Sequence, residues 1–186
     1  ATIDIPMRNA HLHLEIGVRY TSEFNAWYAL QGFEEPNHHG NWNGINIVGA
    51  DPLDFFQYFI DRPQGRFHEY FLEEEVSFEI LVHFDRFPDF LRRNPLFLRG
   101  RSTNDDPSWY AVGFTWYGLP VSWEPLASRQ VDNRFETGRV YVRDVFHERS
   151  CRNWVDDHNG DWTPTDLLNY YIGILKAGEA PSDQRD

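Results

Sequence analysis

The sequence predicts one α+β domain over residues 1–186, with an antiparallel β-meander flanked by helices. Apolar residues alternate, as in strands that bury one face, in three runs: residues 11–20, 76–84 and 109–116. Two other segments, 51–62 and 163–175, carry apolar residues at helical spacing after a capping residue and a proline. Because no repeat, low-complexity tract or linker divides the chain, these elements are expected to share one core.

The composition indicates a folded protein whose partners are other proteins. Apolar residues make up 41% of the chain and aromatic residues 17%, which is typical of a packed core and not of a disordered chain. The 29 acidic residues against 17 basic ones give a net charge of -12, which repels nucleic-acid phosphates and anionic lipids. We therefore expect no nucleic-acid partner, and favour a basic or neutral protein.

The cysteine content and the hydropathy pattern bear on the compartment. Cys151 is the single cysteine, so an internal disulfide and a four-cysteine zinc site are both excluded. No apolar run approaches the roughly 18 to 20 residues of a membrane span, and the first residues do not read as a signal peptide. These patterns predict a cytoplasmic protein with no membrane span.

Shorter patterns predict the elements between the main runs. A helix is expected over residues 22–32 and a strand over 42–48. The β-rich residues 66–72 predict another strand, and the proline-led residues 95–98 a further one. Residues 101–107 are polar and turn-rich, which is typical of a mobile insertion.

The last third predicts a polar loop, a strand and a closing helix. The loop covers residues 128–137 and the strand residues 138–145. Thr163 is expected to cap the helix, with Pro164 at its first position. The apolar face of this helix is expected to consist of Leu167, Leu168, Tyr171, Ile174 and Leu175.

The order of several short motifs resembles that of ubiquitin-conjugating (E2) domains. The matching segments are residues 42–49, 78–88, 94–97, 138–142 and 162–168. They are similar to the family's Trp-x-x-x-Ile-x-Gly strand, its strand ending in Phe-Pro, its Pro-x-Val-x-Phe turn, its cysteine strand and its Trp-Ser-Pro helix. The resemblance implies an E2-like fold with two insertions, at residues 51–65 and 101–121, and a long loop before Trp162.

The resemblance is to the catalytically inactive E2 variants, of the endosomal-sorting and FTS types. Tyr141 stands where an active E2 has its cysteine, and Leu126 where it has the asparagine of His-Pro-Asn. Thioester transfer needs both the thiolate and the oxyanion-stabilising amide. The resemblance therefore implies a binding module without cofactor or metal, which recognises ubiquitin or a partner in ubiquitin-pathway or trafficking assemblies.

An aromatic segment is the predicted binding surface. Aromatic-lined grooves bind extended peptides, and the candidate residues are Trp109, Tyr110, Trp116, Tyr117 and Trp123. Aromatic side chains at this density also commonly form a core, and the sequence leaves both interpretations open.

Enzymatic alternatives rest on Cys151 and on histidine clusters. Positive neighbours such as Arg149 and Arg152 lower a thiol pKa, so Cys151 is the candidate nucleophile of a diverged thiol-using E2. The spacing of His11, His13 and Glu15 suits a metal site on one strand face. A facial triad of His83, Asp85 and His147 is a weaker metal hypothesis.

A calcium loop and an unrelated acidic binding protein are the two remaining interpretations. Residues 156–161 are rich in aspartate, but the first position of a calcium loop falls on Val155, which has no ligand oxygen, so an acidic solvated turn is expected. An immunity-type or other acidic binding protein of unrelated fold is the remaining class.

Overall fold

The computed structural model describes residues 16–31, 46–100, 108–127 and 130–177. Both helices and antiparallel strands occur in these segments, which confirms the α+β class. Some predictions lie outside the described residues: those for residues 11–15, 42–45, 101–107, 128–129 and 178–186.

The elements are defined here in chain order. They are β1 (Ile16–Arg19), α1 (Phe24–Leu30), β2 (Ile47–Ala50), α2 (Pro52–Asp61), α3 (Phe67–Leu72), β3 (Phe78–His83), α4 (Asp89–Arg93), a 3-10 turn (Pro95–Phe97), β4 (Trp109–Phe114), β5 (Pro120–Leu126), β6 (Val140–Val145), β7 (Val155–His158), β8 (Asp161–Pro164) and α5 (Asp166–Leu175).

An antiparallel sheet of four strands, in the order β5-β4-β3-β6, forms the centre of the fold. Its register sets Leu81 of β3 opposite Ala111 of β4 on one side and Tyr141 of β6 on the other. The described residues also form two two-stranded ribbons, β1-β2 and β7-β8. Among the described residues, strands β5 and β6 are therefore the edges of the central sheet.

One face of the central sheet forms the main core, to which every one of these elements contributes. Alternation along the strands directs Phe78, Val112 and Trp123 into this core, each with no exposed surface. The rings of Phe78 and Phe114 stack with centroids 5.3 Å apart. Such aromatic packing explains why the aromatic content of the sequence is high.

The opposite face of the sheet is divided into an apolar end and a polar end. Leu81, Ala111 and Leu126 form a small second cluster at the apolar end. At the polar end, Arg143 pairs with Glu79 at 3.1 Å. Burial raises the pKa of Glu79, although the positive charge of Arg143 opposes this.

The strands predicted within residues 76–84, 109–116 and 138–145 and the helix start predicted at Asp51 are confirmed. Strands β3, β4 and β6 lie within the predicted runs. Helix α2 begins where Asp51 caps it, since the Asp51 carboxylate accepts a hydrogen bond from the Leu53 N–H at 2.8 Å. None of the helices in the described segments is long and apolar enough to cross a bilayer.

The strand predicted for residues 66–72 is wrong, because this segment forms helix α3. The Glu69 carboxylate accepts a hydrogen bond from the Arg66 N–H at 2.8 Å, which satisfies a donor at the helix start. The helix buries Tyr70 and Phe71. These aromatic residues favour strands intrinsically, but here tertiary packing overrides that preference.

The strand predicted for residues 95–98 is also wrong. Pro95–Phe97 is a 3-10 turn, in which the Phe97 N–H donates to the Asn94 carbonyl at 3.2 Å. Leu98 makes only an isolated bridge to Trp123. The short helix α4 before this turn was not predicted.

The closing helix begins later than predicted, at Asp166 instead of Pro164. Thr165 is the cap, since its hydroxyl accepts a hydrogen bond from the Leu168 N–H at 3.2 Å. Thr163 and Pro164 belong to β8. The buried side chains of this helix are Leu168, Ile172, Ile174 and Leu175, whereas Leu167 is 42% exposed.

Candidate functional site

A cleft of about 660 Å³ lies between strand β6 and strand β8. Its walls come from two segments that the sequence resemblance singled out, residues 138–142 and 162–164. The lining residues are Phe135, Gly138, Arg139, Val140, Tyr141, Val142, Asp161, Trp162, Thr163, Pro164 and Asn169. The fold thus brings the two motifs to one site, although about twenty residues separate them in the sequence.

The first wall is the outer edge of β6. Within the described segments, β6 is hydrogen-bonded to β3 alone, and no strand pairs with its other side. Alternate residues of an edge strand point their N–H and C=O groups outward. The β6 side of the cleft therefore offers main-chain donors and acceptors beside Val140 and Val142.

The second wall is the β7-β8 hairpin. Asn159 and Gly160 form its turn with φ angles of 60° and 89°, as a tight hairpin turn requires. The Gly160 N–H donates to the Asp157 carboxylate at 2.6 Å. This turn leads into β8, where Trp162 packs against the main core.

Tyr141 makes structural contacts at the cleft. Its ring lies 4.6 Å from the ring of Phe135, and its hydroxyl accepts a hydrogen bond from the Glu136 N–H at 2.8 Å. These contacts hold the loop before β6 against the sheet.

Leu126 and Tyr141, the two positions that the resemblance assigns to E2 catalysis, belong to the same apolar cluster. Leu126 is 7% exposed and lies in strand β5, opposite Trp109. Residues 124–126, which match the family's His-Pro-Asn, therefore lie in a strand. A leucine side chain has no N–H or O–H group, so Leu126 itself supplies no donor for an oxyanion.

The charges at the mouth of the cleft are mixed. Arg139 pairs with Glu136 at 3.2 Å, and both side chains are exposed. Asp161 and Asn169 are exposed on the opposite side. The cleft thus combines an apolar floor with polar groups of both charges and an amide at its rim.

The five aromatic residues predicted to form a groove do not share one surface. Tyr110 and Trp123 have no exposed surface and belong to the core, so their assignment to a groove is wrong. Trp109 points to the opposite face of the sheet, where its ring lies 6.2 Å from that of Phe135. Alternation along β4 explains this split, because neighbouring side chains point to opposite faces.

Trp116 and Tyr117 lie in the turn between β4 and β5. Trp116 is 61% exposed, and its ring lies 5.4 Å from that of Tyr117. Tyr117 is half-buried near Glu74, and burial raises the pKa of both groups. Burial likewise raises the pKa of Tyr70 to about 12. These phenols stay protonated at neutral pH, so they supply no base.

Cys151 is a buried thiol. It has no exposed surface, and its Sγ lies 3.6 Å from the Glu148 carbonyl. Burial raises the pKa of Cys151, and the opposing charge of Arg152 is the smaller influence. The alternative in which positive neighbours activate this thiol gains no support from these contacts, because desolvation outweighs the neighbouring charge.

The histidine hypotheses have different outcomes. His11, His13 and Glu15 lie outside the described residues. His83 lies 3.4 Å from Asp85, but His147 pairs with Glu75 at 2.9 Å, so the proposed triad does not converge. Burial lowers the pKa of His83. In the described parts of the chain, no group of His, Cys, Asp or Glu has the arrangement of a metal site.

The aspartate-rich residues 156–161 form the β7-β8 hairpin, which includes more strand than the predicted turn. Their side chains are exposed.

Sequence reasoning did not identify Phe135, Asp161 or Asn169 as cleft residues. No local pattern marks them, because the cleft exists only once β6 and β8 lie side by side.

Comparisons with protein-family models, with curated proteins and with solved structures returned no match to this chain.

Proposed function

We propose that this chain is a non-catalytic binding module that takes an extended segment of a partner protein into the cleft between β6 and β8. The observation that carries the proposal is the unpaired outer edge of β6 within that cleft. Extended peptides bind such edges by adding a strand, in which main-chain hydrogen bonds supply affinity. Side-chain pockets beside the edge supply specificity.

The lining of the cleft supports a peptide ligand. Val142, Trp162 and Pro164 offer apolar contacts for every second side chain of a bound strand. Arg139 and Asp161 stand at the rim, where they are able to pair with peptide charges of either sign. A strand bound here would also cover the main-chain groups that β6 leaves unpaired.

Ubiquitin, or another protein of the ubiquitin pathway, is the first partner to test. The E2-variant resemblance nominates it, and two of the five segments that carry the resemblance line the cleft. A thiol enzyme is less well supported, because Cys151 is buried and lies outside the cleft lining.

Asn169→Arg tests the cleft with little risk to the fold. Asn169 is exposed on α5 and lines the cleft, so an arginine there places its long side chain in the space for the ligand. Asn25→Arg is the matched control, because Asn25 is an exposed residue of helix α1 outside the cleft. Circular dichroism and thermal unfolding should first show that both variants fold.

The ligand search uses a phage-displayed library of random linear peptides, selected on the wild-type protein. The selected peptides and purified ubiquitin are then titrated by isothermal calorimetry into the three proteins. We expect Asn169→Arg to weaken peptide binding by about tenfold or more, and Asn25→Arg to leave it unchanged. If ubiquitin binding is weakened by Asn169→Arg and unchanged by Asn25→Arg, ubiquitin is identified as the partner class.

Two results would contradict the cleft proposal. One is a library that yields no specific peptide after repeated selection. The other is equal affinity of the selected peptides for wild type and Asn169→Arg. Peptide binding without ubiquitin binding would keep the cleft as a peptide site and remove the ubiquitin assignment.

A further inference from the structure

Helix α2 presents a row of large apolar side chains to solvent. Leu53 is 79% exposed, Phe56 48% and Ile60 70%. Their spacing of three and four residues places them on one face of the helix. On another side of the same helix, Phe55 and Phe59 pack against the core. The helix is therefore apolar on more than its buried face.

The exposed row belongs to a helix that is firmly attached. Phe55 packs with its ring centroid 5.0 Å from that of Tyr70 and 6.4 Å from that of Phe71. Phe67, which is 39% exposed, lies 5.6 Å from Phe55 and extends the apolar surface onto α3. Leu53, Phe56, Ile60 and Phe67 are called the α2 patch below.

One flank of the α2 patch is acidic. Asp54 directly follows Leu53 in the sequence, and Asp61 directly follows Ile60. The Gln57 amide donates a hydrogen bond to the Asp61 carboxylate at 2.9 Å. The nearby cation Arg62 is held by Glu73 in an ion pair of 2.7 Å. The flank thus carries a net negative charge.

An exposed apolar row of this kind is typical of an interaction surface, since water-facing apolar patches on folded proteins mark binding sites. The spacing of Leu53, Phe56 and Ile60 is that of three successive seam positions in a pair of packed helices. A helix lying alongside α2 would cover all three side chains. Basic residues at its edge would pair with Asp54 and Asp61.

We propose that the α2 patch is the docking face for a basic amphipathic helix of another protein. A second copy of this chain is the less favourable occupant, because it would bring another -12 charge and a second set of Asp54 and Asp61 to the same surface. No residue of α2 lines the cleft between β6 and β8. The proposal is therefore independent of the peptide site.

Two synthetic helical peptides test the chemistry of this surface. Both carry leucine at the seam positions of each heptad. All remaining positions are lysine in one peptide and glutamate in the other. Each peptide is titrated by fluorescence anisotropy into wild type, Leu53→Ser/Ile60→Ser, and Asp54→Asn/Asp61→Asn. Leu30→Ser is the matched control, since Leu30 on α1 is 70% exposed, as Ile60 is.

We expect the lysine peptide to bind wild type and Leu30→Ser equally. Leu53→Ser/Ile60→Ser should bind it about tenfold more weakly or worse, because two central apolar anchors are lost. Asp54→Asn/Asp61→Asn should bind it more weakly and with a smaller dependence on salt. Unchanged circular dichroism would show that the helices are intact.

Three results would overturn the proposal. Equal binding of the lysine peptide to wild type and to Leu53→Ser/Ile60→Ser would place the peptide elsewhere. Equal binding of the lysine and glutamate peptides would show that the patch does not select a basic helix. Sedimentation equilibrium that shows a wild-type dimer, lost in Leu53→Ser/Ile60→Ser, would assign the patch to a second copy.

Discussion

The buried carboxylate of Asp89 accepts hydrogen bonds from both the backbone N–H and the hydroxyl of Ser22, at 2.8 and 2.9 Å. This contact joins helix α4 to the connection between β1 and α1, across 67 positions of sequence. Arg93 adds an ion pair to the same oxygen at 3.0 Å. One carboxylate therefore fixes two parts of the fold that share no secondary structure.

Asp89→Ala should lower the free energy of unfolding by about 2 to 4 kcal/mol at neutral pH. The substitution leaves the Ser22 N–H without its buried acceptor and Arg93 without its partner. Urea unfolding followed by circular dichroism measures the change. Asp156→Ala on β7, where the carboxylate is exposed, should cause a much smaller loss.

The same carboxylate predicts a pH dependence. Burial alone would raise the pKa of Asp89, but the hydrogen bonds from Ser22 and the charge of Arg93 lower it below its usual value. The folded state thus binds this proton less readily than the unfolded state does, so the stabilisation is present above about pH 4. This stabilisation should be lost as the pH falls further. The stability of Asp89→Ala should therefore fall less steeply with acid than the stability of wild type.

Leu168→Ala should lower the free energy of unfolding by about 2 to 5 kcal/mol, because Leu168 has no exposed surface and its truncation leaves a cavity. Its neighbour Leu167 is 42% exposed on the same helix and provides the control. Leu167→Ala should cost less than half as much. Equal losses from the two variants would show that α5 packs through a different face.

Alternation and capping residues carried most of the correct structural predictions. In β3 and β4 the larger apolar side chains, such as Phe78, Ile80 and Val112, alternate and point into the main core, so the strands could be recognised locally. Strand β5 could not, because Pro120 and Pro125 break its pattern. Prolines are tolerated there because β5 is an edge strand of the sheet.

The boundaries of α5 and the position of the cleft depended on tertiary contacts. Thr163-Pro164 has the local form of a helix start, yet pairing with β7 draws both residues into β8. Thr165 becomes the cap instead, and it also donates to the Trp154 carbonyl at 3.0 Å. The motifs that line the cleft were visible in the sequence, but their adjacency was not.

Cys151 should react slowly with thiol reagents in the native protein. Its side chain is buried and burial raises its pKa, so both access and thiolate fraction are low. Labelling with Ellman's reagent should be at least about tenfold slower in buffer than in denaturant. A reducible adduct after incubation with ubiquitin, ATP and ubiquitin-activating enzyme would instead show an accessible nucleophile.

Truncation of Trp123 should cost far more stability than truncation of Trp116, although both come from the same aromatic segment. Trp123 has no exposed surface and stacks 5.6 Å from Phe90, so Trp123→Ala should cost about 3 to 5 kcal/mol. Trp116 is 61% exposed, and Trp116→Ala should cost less than about 1 kcal/mol. Iodide should quench the fluorescence of Trp116 more strongly than that of the other tryptophans. The fluorescence of wild type should therefore be quenched more than that of Trp116→Ala.

Gly118 occupies a position that no other residue fits, for two separable reasons. Its φ angle is 95°, and a Cβ built there would lie 2.5 Å from two ring atoms of Trp154. The Gly118 carbonyl also accepts a hydrogen bond from the buried Tyr20 hydroxyl. The turn between β4 and β5 thereby packs against Trp154 and is hydrogen-bonded to Tyr20, and both of these side chains are buried.

Gly118→Ala should therefore cost about 2 to 4 kcal/mol, as the sum of backbone strain and overpacking. Gly160→Ala separates the two contributions, since Gly160 has a φ of 89° but no heavy atom within 4 Å of an added Cβ. It should cost about 1 to 2 kcal/mol from backbone strain alone. Thermal unfolding of the two variants measures the difference. If they lost the same stability, the Trp154 ring would have to move aside freely, and the turn would not be packed as tightly as its contacts indicate.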